Sequence, residues 1–484
     1  MTQQTIRFVL DEQIVEVDFR EFPHLTPTTT VLNYLRSFPT HKGVKEGCAE
    51  GDCGACTVVV AELNDQGKLV YKALDSCLVF LPMIHGKQLI TVENLAVKAN
   101  GEQMLHPVQQ MLVETNGTQC GYCTPGIIMS LFGLYKNHHQ PSREIIEDAL
   151  TGNLCRCTGY QPILEAALKV CNNQGKDHFS AREKETIALL TSIRENKETI
   201  EIRTPAQTYF KPFSLSETFR IRSEFPEATV INGSTDVALR QTKKKENLKE
   251  ILDLSAVAEL KTWEENKSEF VIGAGLSLEQ LKYKIKGKLP ALHHILTVFG
   301  SLQIRNLATI GGNVGSASPI GDLLPLLFVY GACVVLRSSS SERILPIGTF
   351  LTGYRKTELH PDELITEIRI PRPGPDDRIK SYKVSKRKDL DISTVSGAFR
   401  ILTVDGLVSE IFIAYGGMAA MTKRAIKTEE FLRGKNWSRA VIEEAMPFIE
   451  EEFNPISDAR SEAEYRRKVG KNLLLKFYVD TTQS

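Results

Sequence analysis

Neither sign of charge dominates this chain: its 484 residues hold 59 Lys and Arg against 59 Asp and Glu. That balance removes the electrostatic argument for nucleic acid or an anionic membrane as a partner. Long apolar runs are missing too. The longest, Leu323 to Leu336, is interrupted by Pro325 and Gly331 and falls short of the roughly 20 residues a membrane-spanning helix requires. Met1-Thr2-Gln3-Gln4-Thr5-Ile6-Arg7 opens no basic stretch followed by an apolar one, so no secretory leader is read and a cytoplasmic location, off the membrane, is expected. Internal repeats and low-complexity tracts are absent. Nor does a G-x-G-x-x-G follow a strand: Gly273-Ala274-Gly275-Leu276-Ser277-Leu278 lacks the third glycine, so NAD is not read from a Rossmann fingerprint.

What is present is an ordinary globular composition, 42% hydrophobic and 24% charged, in a chain long enough for three or four domains of roughly 100 to 200 residues. Ten cysteines stand out. In a cytoplasmic chain they are poor candidates for a disulfide framework, and metal ligation becomes the default reading. Cys48, Cys53, Cys56 and Cys77 form one group and Cys120, Cys123, Cys155 and Cys157 another. Cys171 and Cys333 stand apart and read as core thiols.

Apolar alternation over residues 5–19 around Asp11-Glu12-Gln13 predicts a hairpin. Thr30 to Arg36 predicts a helix that Pro39 stops, and Val58-Val59-Val60 and Leu69-Val70 predict strands about an Asn64–Gly67 turn. These make a small mixed α/β domain over 1–94. Residues 95–171 carry helical periodicity and predict a small helical domain. Residues 172–204, rich in Lys, Glu, Asn and Ser, read as an exposed linker with a helical turn or two. Strand and helix signals alternate over 205–372, including the capping box Ser277-Leu278-Glu279-Gln280. Pro371-Arg372-Pro373-Gly374-Pro375 marks a boundary, and an α+β domain over 376–482 closes the chain.

The first cysteine group reads C-x4-C-x2-C with the fourth cysteine 21 positions after the third, which is plant-type 2Fe-2S spacing. Gly47, Gly51 and Gly54 interleave with it, permitting positive φ and letting amides point at a negative cluster. The second group, Cys120-Gly121-Tyr122-Cys123 with Cys155-Arg156-Cys157, offers one pair from each of two helical hairpins. Thr124 reads as an N-cap with Pro125 at the first helical position, and Thr158 with Pro162 as a similar start. By spacing, a structural four-thiolate zinc site is a rival for both groups, more so for the second. Two glycine-rich turns, Asn232-Gly233-Ser234 and Gly311-Gly312-Asn313, have amides suited to a pyrophosphate, yet by themselves are ordinary loop sequences.

The run Gly47-Cys48-Ala49-Glu50-Gly51-Asp52-Cys53-Gly54-Ala55-Cys56, followed by Cys120-Gly121-Tyr122-Cys123-Thr124-Pro125-Gly126 and Cys155-Arg156-Cys157-Thr158-Gly159-Tyr160, resembles the molybdenum hydroxylases of the xanthine dehydrogenase branch. The resemblance continues through Asn232–Asp236, Thr309–Asn313, Ser318–Asp322 and Gly353–Thr357. It implies a multidomain α+β fold: a β-grasp 2Fe-2S ferredoxin domain, a four-helix 2Fe-2S domain, an FAD-binding domain of the vanillyl-alcohol-oxidase type and a small α+β C-terminal domain. It implies two 2Fe-2S clusters on the eight cysteines, the helical-domain cluster nearer the molybdenum and the ferredoxin-like one nearer the flavin. It also implies FAD held by Ile231-Asn232-Gly233-Ser234-Thr235-Asp236-Val237-Ala238 and Thr309-Ile310-Gly311-Gly312-Asn313. Phe299 would lie against the flavin, Asp322 and Lys383 would make polar contacts to it, and Ile365 would line its pocket. Read without the resemblance, Phe299 is a core residue and Lys383 a solvated strand residue.

Fused family members continue into a large molybdopterin domain, so substrate hydroxylation is expected on a separate molybdopterin-binding subunit, in a heterotetramer of two of each, and no catalytic residue for that step is expected in this chain. The expected activity is electron transfer from that partner to FAD and on to NAD during oxidation of hypoxanthine and xanthine to urate. The segment Lys386 to Ser393 matches a family loop that influences acceptor access, which leaves oxygen open. Service to a hydroxylase of aldehydes, nicotinate or carbon monoxide, or a zinc-stabilised interaction protein, are the rival readings.

Overall fold

A computed structural model describes residues 3–99 and 101–482. Met1, Thr2, Asn100, Gln483 and Ser484 lie outside the described residues, and with them the first two residues of the leader reading. The chain is mixed α+β and divides into two compact units, one running to Val257 and including Gly300–Ala308, the other comprising Ala258–Phe299 and the residues from Thr309 onward.

The first unit opens with a five-stranded mixed sheet in the order Gln13–Asp18, Thr5–Leu10, Gln88–Ile90, Thr57–Leu63, Leu69–Asp75. Thr5–Leu10 pairs antiparallel with Gln13–Asp18 and parallel with Gln88–Ile90, which is the central parallel pair of a β-grasp. The helix Val31–Ser37 buries Val31, Leu32, Tyr34 and Leu35, and its N-cap Thr30 accepts from the Asn33 amide. Four helices follow: Pro107–Glu114, Thr124–Asn137, Arg143–Leu150 and Gln161–Asn172. The second is buried along most of its length because Gly126 and Gly133 let it lie against the cysteine loop and the sheet.

Residues 172–204 depart from the expected exposed linker. They hold the helices His178–Ala181 and Glu183–Arg194 and the strand Ile200–Arg203, with Phe179, Leu190, Ile193, Ile200 and Ile202 buried. Polar residues at most positions masked a stripe of widely spaced apolar ones, and one side of a short helix is all that needs to be apolar. A four-stranded sheet in the order Thr229–Ile231, Glu250–Asp253, Thr208–Lys211, Ile200–Arg203 completes this unit. Lys211 and Asp253 pair beneath it at 2.6 Å, both buried.

The second unit contains a five-stranded sheet, ordered Trp263–Glu265, Glu269–Gly273, Leu364–Pro371, Cys333–Arg337, Glu342–Pro346, and a four-stranded sheet of Arg378–Val384, Val395–Val404, Leu407–Gly416 and Lys423–Arg424. The helices Arg439–Glu452 and Ala463–Thr482 cover the latter, where Phe399 and Phe477 stack with centroids 5.0 Å apart. The capping box at Ser277 forms as read.

Candidate functional site

The first cysteine loop winds between the helix Val31–Ser37 and the strand Thr57–Leu63. Gly51 and Gly54 take φ of +76° and +66°, which turns the chain tightly enough for the amides of Glu50 and Asp52 to donate to Cys48 Sγ at 3.4 and 3.3 Å. Cys56 and Cys77 are buried, Cys48 and Cys53 half-buried. Cys56 Sγ lies 3.4 Å from Cys77 Sγ. Cys53 and Cys48 form a second close pair; the Cys53 thiol donates to Cys48, bringing the Cys48 thiol down to about 5 and pushing Cys53 up.

The second group sits at two helix starts. Cys123 is itself the N-cap of Thr124–Asn137, with Thr124 and Pro125 already helical. This corrects the expected cap by one residue: the Thr124 hydroxyl meets Thr118 at 2.6 Å instead. Tyr160, with φ of +67°, caps Gln161–Asn172. Its hydroxyl accepts from the Cys155 amide at 2.9 Å, and Thr158 Oγ1 donates to Cys155 Sγ at 3.2 Å. Again the sulfurs pair, Cys120 with Cys157 and Cys123 with Cys155. Cys120 and Cys157 are exposed while Cys155 is buried, so this group opens to the surface on one side.

Both groups are therefore two pairs. A structural zinc ion draws four ligands to one point, whereas a 2Fe-2S cluster takes two thiolates on each of two irons. Among the described residues no three His, Cys, Asp or Glu side chains converge on a single ion position. The paired donor set fits the diiron group.

The turn Ile231–Ala238 lies in the first unit. Gly233 has no room for a side chain, since a Cβ there would stand 1.8 Å from the Leu307 carbonyl oxygen. Ser234, at φ of +58°, donates to the Leu78 carbonyl at 2.5 Å, one residue beyond Cys77. Among the described residues none accepts from the backbone N–H of Gly233, Ser234 or Thr235, so three successive amides are available to an anion.

Thr309–Asn313 lies in the second unit and behaves differently. Its amides are already used: Ile310 to Leu276, Gly311 to Ala274, Gly312 to the Thr309 hydroxyl and Asn313 to the Thr309 carbonyl. What it offers instead is Asn313 Oδ1, buried with no hydrogen-bond partner among the described residues. Close by in sequence, Asp322 pairs with Lys383 at 3.1 Å, both side chains nearly inaccessible. Lys383 Nζ also donates to the carbonyls of Val298 and Asp389 at 2.9 and 3.1 Å, so it is a buried hub, not a solvated strand residue. Ser393, not singled out from sequence, donates to Asp322 Oδ1 at 2.5 Å. Ile365 is half-buried beside Gly315, at a bulge in the pairing of Cys333–Arg337 with Leu364–Pro371, and Phe299 is half-buried.

Three family models match the chain: the 2Fe-2S binding domain over residues 91–168, the FAD binding domain in molybdopterin dehydrogenase over 199–373, and the CO dehydrogenase flavoprotein C-terminal domain over 380–481. Xanthine dehydrogenase of Emericella nidulans is 34% identical over 534 aligned residues, covering 98% of this chain and 38% of the relative. That of Oryza sativa subsp. japonica is 31% identical, covering 94% and 38%. The chain thus spans under two fifths of the length of these curated relatives. In fold it resembles a chain of the carbon monoxide dehydrogenase from Hydrogenophaga pseudoflava that lacks the Mo-pyranopterin moiety of its molybdenum cofactor, with a TM-score of 0.54 and 24% identity over 57% of this chain and 96% of that one.

Proposed function

The chain belongs to the iron–sulfur and flavin part of the molybdenum hydroxylase family, and from that premise we propose that it carries electrons from a molybdopterin-binding partner to FAD. Cys48, Cys53, Cys56 and Cys77 hold one 2Fe-2S cluster, and Cys120, Cys123, Cys155 and Cys157 the other. In the first unit the free amides of Gly233–Thr235 are suited to the pyrophosphate of FAD; in the second, considered by itself, Lys383, held by Asp322, presents a cation of the kind that favours negative charge on a reduced flavin, with Asn313 Oδ1 as a further polar atom. The clusters and flavin supply one- and two-electron chemistry; the protein positions and insulates them. The observation that carries this reading is the two-plus-two pairing of both sulfur sets.

The names of the relatives support xanthine as the partner's substrate, and hypoxanthine as a second substrate with NAD as the final acceptor completes the proposed reaction. A complex of two copies of each subunit is the proposed assembly. The purified chain is expected to contain about four iron and four acid-labile sulfides, two per cluster, with one flavin, and NADH is expected to bleach its visible absorbance. Zinc in place of iron would reject the clusters. Bleaching by dithionite but not by NADH would reject NAD alone.

A further inference from the structure

Within the first unit the two cysteine loops touch through their backbones: the Leu154 amide donates to the Cys53 carbonyl at 3.0 Å. Leu154 is bonded to Cys155, so one hydrogen bond links a residue of each sulfur set. Asn153 secures the contact, its Nδ2 donating to the Gly54 carbonyl at 3.1 Å and to Thr57 Oγ1 at 3.2 Å. Gly54 allows it, since a Cβ there would stand 2.3 Å from the Gly152 carbonyl oxygen.

Over this junction lies Gln303, fully buried and far away in sequence. Its Nε2 donates to Asn153 Oδ1 and Ser130 Oγ, both at 3.0 Å, and approaches Thr57 Oγ1 at 3.5 Å. Ser130 donates to the same Asn153 oxygen at 2.6 Å. Gln303 Oε1 has no hydrogen-bond partner among the described residues. Gln303 thus ties together Thr57, Ser130 and Asn153, three residues from separate stretches of the chain. Asn153 has its oxygen fixed by two donors and its nitrogen by two acceptors, which leaves it one orientation.

We propose that Gln303 is a positioning residue for electron transfer between the two clusters, acting through Asn153 to hold the Cys53–Leu154 hydrogen bond. One electron crosses, the helical-domain cluster is oxidised and the ferredoxin-domain cluster reduced; no bond forms or breaks and no proton moves. This rests on the cluster assignment above.

The test uses the full chain, loaded with iron and FAD, in three versions besides wild type: Gln303→Met, Gln303→Leu and Asp148→Asn. Gln303→Met keeps volume and removes the donor. Asp148→Asn loosens the neighbouring Arg305–Asp148 pair, 2.7 Å long, and leaves Gln303, Asn153, Ser130 and Thr57 unsubstituted. The readouts are the rate of cluster-to-cluster equilibration after a one-electron reducing pulse and the spin–spin splitting in the paramagnetic spectrum of the fully reduced protein. Gln303→Met is expected to slow equilibration several-fold and alter the splitting, with iron content and the individual cluster signals unchanged, while Asp148→Asn keeps both readouts. If Gln303→Met does not fold, Gln303→Leu, which also lacks a donor and carries no charge, decides in its place. A wild-type rate in Gln303→Met, or equal slowing in Asp148→Asn, overturns the proposal. Wild-type protein without iron instead overturns the cluster assignment.

Discussion

His85 is a buried imidazole whose Nδ1 accepts from the Arg7 amide at 3.1 Å, so the fold holds it neutral. Burial pushes its pKa down to about 3, with the charges of Lys211 and Arg7 adding to the effect. An unfolded histidine titrates near 6.5. Between those values the unfolded chain binds the extra proton, so stability is complete above pH 6.5 and is lost as pH falls, by at most about 1.4 kcal/mol per pH unit. His85→Gln is expected to flatten that slope, checked by urea midpoints between pH 7 and pH 5. The same scale shows what sequence can reveal. The eight cysteines stood out in the sequence by their clustered spacing, and Asp322 and Lys383 were singled out by resemblance, though not as a pair. Gln303 and Ser393 were not: a glutamine in Ser301-Leu302-Gln303-Ile304-Arg305 announces nothing, and its partners stand 150 to 246 positions away.

The helix Thr124–Asn137 contains two glycines with opposite duties. A Cβ on Gly126 would stand 2.1 Å from the Gly54 carbonyl oxygen, backbone that cannot yield, whereas one on Gly133 would meet Ala73 and Val59 side chains at 3.6 Å, ordinary contact. Alanine gains about 1 kcal/mol of helix propensity over glycine at either position, but overpacking costs about 1–3 kcal/mol. Gly133→Ala is therefore expected to raise the unfolding free energy by roughly 0.5–1 kcal/mol, and Gly126→Ala to lower it and to release iron from the cysteine loop. Denaturant titration with visible absorbance as a second probe reports both. Periodicity found this helix, and it found the strands that alternate cleanly. It failed over 172–204, where Asp177 anchors the segment: burial raises its pKa, but hydrogen bonds from His106, Lys136 and Ser180 outweigh that and hold it below the ordinary carboxylate range. Such a long-range ion-pair anchor leaves no local pattern to read.

For the whole molecule the sequence gives the number of cofactor sites more readily than the chain's division. Residues 300–308 belong with the first unit although the chain on both sides of them belongs with the second, and no composition shift marks the excursion. The cofactors then stabilise different residues. Metal-binding free energy is folding free energy where no preformed site survives unfolding, and eight thiols in four close pairs have little reason to stay paired without iron. Removing iron with a chelator under reductant is expected to expose the amides of residues 47–56, 119–124 and 151–160 to hydrogen exchange, while the sheet containing Glu269–Gly273 and Leu364–Pro371 keeps its protection. Flavin binds by ordinary mass action instead, so FAD at 100 times its dissociation constant is expected to add about 2.7 kcal/mol and to slow exchange at Gly233, Ser234 and Thr235. Peptide-resolved exchange separates the two. If the cysteine loops stay protected after complete iron removal, the thiol pairs are a product of packing alone and the metal has no structural part in this chain.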